Sequence, residues 1–124
     1  MENCIFCQEP KEGSLLFDDG IWKAQFDGFP VSKGHVLIIP KEHVETYFDL
    51  SSLQKETLHL AIERAKEIID DMFHPQGYNI GINCGEAAGQ TIMHCHVHLI
   101  PRYDGDVENP RGGVRGVIPS KMSY

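Results

Sequence analysis

The segment His94-Cys95-His96-Val97-His98-Leu99-Ile100-Pro101 constrains the fold more than any other stretch of the chain. Histidine recurs at every second position, and the positions between are small or apolar. Only an extended backbone puts residues two apart on one side. The period therefore predicts a strand from Ile92 to Pro101 with His94, His96 and His98 on one face and Cys95, Val97 and Leu99 turned to the core. At a rise of about 3.3 Å per residue, neighbouring imidazoles stand about 6.6 Å apart and the outer pair about 13 Å. A lone histidine on a half-buried strand is ordinarily a hydrogen-bonded structural residue. Three in a row imply a metal or an anionic ligand, because ionisable rings are costly to bury without partners. An imidazole with the ordinary pKa of about 6.5 is mostly neutral at pH 7 and so can serve as nucleophile or ligand.

The rest of the chain supplies a sheet and a helix around this strand. Phe17-Asp18-Asp19-Gly20-Ile21 reads as a tight hairpin turn, with Gly20 supplying a positive φ. Gly34-His35-Val36-Leu37-Ile38-Ile39-Pro40 is a β-branched run short enough for a buried strand, with His35 at its entrance. From Ser51 the period becomes helical, with Leu58, Ala61, Ile62, Ala65, Ile68, Ile69, Met72 and Phe73 at three- and four-residue steps. Ser51 and Gln54 fit a capping box, and Pro75 and Gly77 end the helix near His74. Tyr78 to Asn83 alternates again and is expected to pair antiparallel with the histidine strand. The stretch from Asp104 to Tyr124 lacks any period and reads as an ordered arm or a mobile segment.

A length of 124 residues with 41% hydrophobic content suits one domain over residues 1–124, with a core at about 4–103 and an arm at 104–124. Stability at this size is marginal, so a homodimer is expected. The formal net charge of −7 excludes a non-specific nucleic-acid binder. Arg102, Arg111 and Arg115 either offset an anionic ligand locally or are solvated surface residues. The start Met1-Glu2-Asn3-Cys4 has no basic n-region, and no stretch approaches the roughly 18 apolar residues of a membrane span, so a cytoplasmic protein with no membrane partner is expected. Four cysteines in such a compartment are reduced or metal-bound rather than paired.

Two further motifs bear on chemistry. Gly85-Glu86-Ala87-Ala88-Gly89-Gln90-Thr91 is a turn of small residues whose backbone N–H groups are expected to converge on phosphate oxygens. It is not a P-loop, since Gln90 stands where the lysine would be and a strand follows. Cys4-Ile5-Phe6-Cys7 is half of a zinc site, with His43 and His94 as candidate partners; metal-free packing and redox chemistry are the alternatives.

His94 to Ile100 also matches the motif His-φ-His-φ-His-φ-φ, with φ apolar, and so resembles the histidine-triad superfamily. Gly89-Gln90-Thr91, the turn Pro30 to Gly34, and His35 to Pro40 resemble further landmarks of that family, over roughly residues 4 to 103. The resemblance implies an α+β fold: an antiparallel sheet of about five strands with one long and one short helix, dimerising so that sheets extend across subunits. It implies His96 as a nucleophile that attacks a nucleotide α-phosphate, with a hydrogen bond from its other nitrogen to a backbone carbonyl, that of His94, fixing the tautomer. His98 and His35 resemble the family's phosphate-side histidines. Asn83, Gln90 and Thr91 resemble polar groups around the phosphates, with Gly89 in the same turn and Thr91 where a hydroxyl helps protonate the leaving group. Asp27 matches the carboxylate that binds ribose hydroxyls, and Phe6, Phe26 and Leu37 form an apolar slot for the base or are simply core.

Bacterial members of this family and the related galactose-1-phosphate uridylyltransferases combine an N-terminal C-x-x-C with two later histidines, which implies a structural zinc on Cys4, Cys7, His43 and His94. His98-Leu99-Ile100-Pro101-Arg102 followed by Gly105-Asp106 resembles the diadenosine polyphosphate hydrolase branch, and Asn109 to Gly116 resembles bacterial polyphosphate hydrolases. The implied function is a dinucleoside polyphosphate hydrolase. A purine nucleoside phosphoramidase is the nearest alternative. A metallohydrolase with an ion on His96 and His98, and a non-catalytic nucleotide sensor, are the rivals from other classes.

Overall fold

The computed structural model describes residues 3–124. Its strands are β1 (Leu15–Asp18), β2 (Trp22–Phe26), β3 (Val36–Pro40), β4 (Gly77–Ile82) and β5 (Val97–Arg102), and its helix is α1 (Ser52–Phe73). The strands form one antiparallel sheet in the order β1-β2-β3-β5-β4. The β1–β2 turn follows from its residues. Gly20 takes φ 91°, and the Asp19 carboxylate accepts hydrogen bonds from the N–H groups of Ile21 and Trp22 at 2.9 and 2.6 Å.

Helix α1 begins at the expected capping box, with Gln54 N–H donating to Ser51 Oγ at 3.1 Å and Ser51 N–H donating to Gln54 Oε1 at 2.7 Å. It ends at His74 in the left-handed conformation. Its buried stripe of Leu58, Ala61, Ala65 and Ile69 covers one face of the sheet, against Trp22, Ala24, Val36, Ile38, Val97 and Leu99. Gly34, at φ 85°, lies under the end of α1, where a Cβ would stand 2.9 Å from the Phe73 ring. Only glycine meets both demands at the residue before His35. Among the described residues no helix is long and apolar enough to cross a membrane.

The opposite face carries no helix. Residues directly across an antiparallel ladder share a face, so the pairs Gln25↔Leu37, Leu37↔His98 and His98↔Gly81 lay one row across this open side.

Two expectations need correction, and one open choice is resolved. The histidine strand begins at Val97, not Ile92. Pro40 has no N–H for the ladder, and its carbonyl accepts from the His94 ring at 2.8 Å, while Cys95 N–H turns away to Val44 O at 2.7 Å. The short helix is represented among the described residues only by one-turn 3₁₀ segments such as Tyr47–Asp49 and Gly113–Val117. The stretch 104–124 is an ordered arm folded back towards β4. Arg102, at the end of β5, bridges Asp106 and Asn79, and the guanidinium groups of Arg111 and Arg115 in the arm stack on Tyr124.

Candidate active site and metal centre

The seven residues Cys4, Cys7, His35, His43, His94, His96 and His98 separate into two groups at the same side of the sheet, and backbone carbonyls decide what the rings offer. His96 lies one residue before β5, and its Nδ1 meets the His94 carbonyl at 2.8 Å. A carbonyl only accepts, so Nδ1 carries the hydrogen and the Nε2 lone pair is free. This is the bond expected from the sequence. Phe6 packs against the ring with centroids 4.9 Å apart, and the His98 ring stands 5.3 Å away.

His98 and His35 form a polarised chain. Val31 N–H donates to His35 Nδ1 at 3.1 Å, which places the His35 hydrogen on Nε2. That nitrogen lies 3.0 Å from His98 Nδ1 and 3.3 Å from Asp27 Oδ2. His98 thus accepts on Nδ1 and keeps its own hydrogen on Nε2, available to donate. Burial, helped by the neighbouring His96 and His35, pushes His98 down to about 4. Burial also lowers His35, against the opposing pull of Asp27. Both rings are neutral near pH 7. Cys95, on the helix side, is driven by burial up to about 12 and is chemically inert as a thiol.

The second group is Cys4, Cys7, His43 and His94, whose donor atoms all lie within 4.8 Å of one another. His94 points its Nε2 hydrogen at Pro40 O and so turns the Nδ1 lone pair to the cluster. From Nδ1 the distances are 3.4 Å to Cys4 Sγ, 3.5 Å to Cys7 Sγ and 3.1 Å to His43 Nδ1, and Cys7 Sγ lies 3.2 Å from His43 Nδ1. A tetrahedral zinc with its usual bonds to sulfur and nitrogen would space these donors about 3.3–3.8 Å apart. The four residues therefore fit such an ion. Lys23, buried on the open face, donates to Gln8 O at 3.0 Å and pins the segment that carries both cysteines and Phe6.

Other expected site residues fall less simply. Leu37 joins Phe6 and Ile39 in a small buried apolar cluster on the open face. Phe26 does not. By strand alternation it faces α1, where it meets Phe73 edge-on at 6.5 Å. The open-face residue at that point of β2 is Gln25, which the sequence reading missed. The signal was present in parity: Trp22, Ala24 and Phe26 share the helix side, so Gln25 and Asp27 must share the other. Asn83 follows β4, one residue beyond the last paired position, Ile82 across from Val97.

The turn before the triad also departs from expectation. The N–H groups of Ala88, Gly89 and Gln90 close onto the carbonyls of Gly85 and Glu86, so they do not converge on a phosphate. The Gln90 side chain is buried and holds the turn, accepting from Gly85 N–H and donating to the carbonyls of Glu45 and Ile92. Gly89, at φ 93°, caps the 3₁₀ turn Glu86–Ala88. Thr91 is exposed and lines a shallow opening with Cys4, His43 and Ile92, beside the cysteine cluster.

Comparison with known proteins accords with this arrangement. A family model described as the HIT domain matches residues 9–105. The protein named "Protein hit" from Bacillus subtilis is 40% identical over 82% of this chain and 72% of its own length. A bis(5'-adenosyl)-triphosphatase of Dictyostelium discoideum is 39% identical over 80% of this chain and 66% of its own. The crystal structure of a zinc-bound histidine triad family protein from Mycobacterium smegmatis superposes with a TM-score of 0.76 at 30% identity, over 87% of this chain and 81% of that one. With a matching domain model across most of the sheet and helix, and relatives that share both sequence and fold, the chain belongs to the HIT family.

Proposed function

We propose that the chain hydrolyses dinucleoside polyphosphates through a nucleotidyl intermediate on His96. One observation carries this reading: the Nδ1–H bond to the His94 carbonyl leaves Nε2 as the nucleophilic lone pair. Nε2 attacks the α-phosphorus in line, the bond from phosphorus to the leaving oxygen breaks, and water then resolves the intermediate. The His94 carbonyl steadies the imidazolium that develops as the bond forms. His98 donates from Nε2 to a non-bridging oxygen, held in that tautomer by His35. Asp27, beside His35, is the candidate for the ribose hydroxyls. The Dictyostelium relative named a bis(5'-adenosyl)-triphosphatase supports the substrate class.

Space beyond His98 favours a dinucleotide over a nucleoside phosphoramidate with a small amine. Ile100 and Asn79 continue the open face from His98, and they border an open cleft of about 820 Å³ flanked by the arm at Asn109 and Met122. This is room for the nucleotide beyond the α-phosphate. Zinc on Cys4, Cys7, His43 and His94 is the expected structural ion, supported by the donor spacing and by the zinc-bound mycobacterial relative. When bound, it ties the N-terminal segment to the strand that carries the nucleophile. A homodimer continuing the sheet through β4, an edge strand with Ile80 exposed, is consistent with the same reading.

The test is to mix the protein with radiolabelled diadenosine polyphosphate and quench rapidly. Label held through a bond stable in base and lost in acid is expected, and label lacking from the quenched protein during turnover would remove the covalent step.

A further inference from the structure

The open face holds one anomaly. Among the described residues, Gln25 Oε1 is the buried side-chain polar atom that lacks a hydrogen-bond partner. Burying an acceptor without a donor costs about 1–3 kcal/mol, so such atoms are rare unless something else satisfies them. Its place in the fold says what that is. Gln25 lies directly across from Leu37, and Leu37 directly across from His98. The carboxamide therefore stands two strand spacings, about 9.5 Å, from the strand of the phosphate-side histidine and on the same face. Phe6 and Leu37 pack in one apolar cluster, Leu37 across from Gln25 and Phe6 against the His96 ring. For a nucleotide with its α-phosphate at His96 and His98, the row from His98 over Leu37 to Gln25 is the path its base would follow.

We propose that Gln25 reads the base: its Oε1 accepts a hydrogen bond from an N–H donor on the far edge of the nucleobase, as the amino group of adenine provides. This rests on the nucleotide-hydrolase reading above and adds to it a discriminating residue. Apolar walls accept any flat base. A buried acceptor penalises a base that lacks the donor, because the empty bond is then desolvated on both sides. A carboxamide is the side chain suited to an adenine edge. The same logic makes Gln25 a cost to the unliganded protein, so an apolar residue of similar size should stabilise it.

The experiment uses the full chain carrying His96→Asn, which retains the slot without turnover. Calorimetric binding of adenosine monophosphate is compared with that of purine riboside monophosphate, the same nucleotide without its amino group. The expected result is about tenfold tighter binding of the adenine nucleotide, the worth of one neutral hydrogen bond. Adding Gln25→Leu should remove that preference by weakening adenosine monophosphate alone, and should raise the melting temperature of the free protein. Gln25→Met provides the same deletion with a different shape. Equal loss of both ligands, or no change in their ratio, would overturn the role of Gln25 while leaving nucleotide binding intact. Failure of both nucleotides to bind a folded His96→Asn protein would overturn the hydrolase reading and the base assignment together.

Discussion

His94 and His96 are two residues apart, and their rings do opposite things. Each gives one N–H to a backbone carbonyl, but His94 gives Nε2 to Pro40 and His96 gives Nδ1 to His94. The free lone pair is consequently Nδ1 in one and Nε2 in the other. His94 turns its lone pair into a cluster of two thiols and a second imidazole, a set with acceptors facing inward and suited to a cation. His96 turns its lone pair to the open face beside His98, where donors and acceptors alternate and an electrophilic phosphorus can be met. The identity of a histidine does not set its chemistry. The carbonyl that claims one of its nitrogens does.

The sharpest way to break this comparison is to exchange the losses. His96→Asn is expected to lower hydrolysis by about 10⁴-fold or more, with bound zinc and the melting temperature essentially unchanged. If that variant sheds its metal, the two groups are not separate. Cys4→Ser or His94→Asn should do the reverse, losing the metal and lowering the melting temperature by about 10 °C, with a smaller loss of turnover; metal analysis alongside thermal melting checks it. Gly34→Ala probes the scaffold beneath the His35–His98 pair. Its positive φ and the Phe73 ring make alanine cost about 1–3 kcal/mol by denaturant unfolding. The smallest effect separates the pH responses. His98 titrates near 4 when folded and nearer 6.5 when unfolded, so the unfolded chain binds the extra proton between those values. Stability is then whole above about pH 6.5 and declines as pH falls towards 4, and His98→Asn should flatten that part of the profile of melting temperature against pH.

Much of this was legible in the chain. Alternation in Val97 to Pro101 placed Leu99 inside and His98 outside, and the Ser51–Gln54 box marked the start of α1 to the residue. Those features are local: they depend on period and on groups three residues apart. The half-zinc motif Cys4-x-x-Cys7 was legible in the same way. The choice of Phe26 failed for a related reason. Apolar character alone does not report a face, whereas its register against Val36 does, and register depends on the partner strand. Gln90 was misjudged similarly. Its sequence neighbours suggest a phosphate loop, but the carbonyls of Glu45 and Ile92 reach it only once the chain has folded.

The sequence by itself determined the strand period, the helix and its cap, the glycine before His35, and which rings and thiols could gather, because each is written in spacing or in one residue's conformational freedom. Tertiary structure decided which nitrogen of each histidine is free, where β5 leaves the ladder, and that the Gln25 carboxamide oxygen is buried without a partner. These are settled by carbonyls and strands distant in sequence, since a hydrogen bond depends on distance and angle rather than on order along the chain.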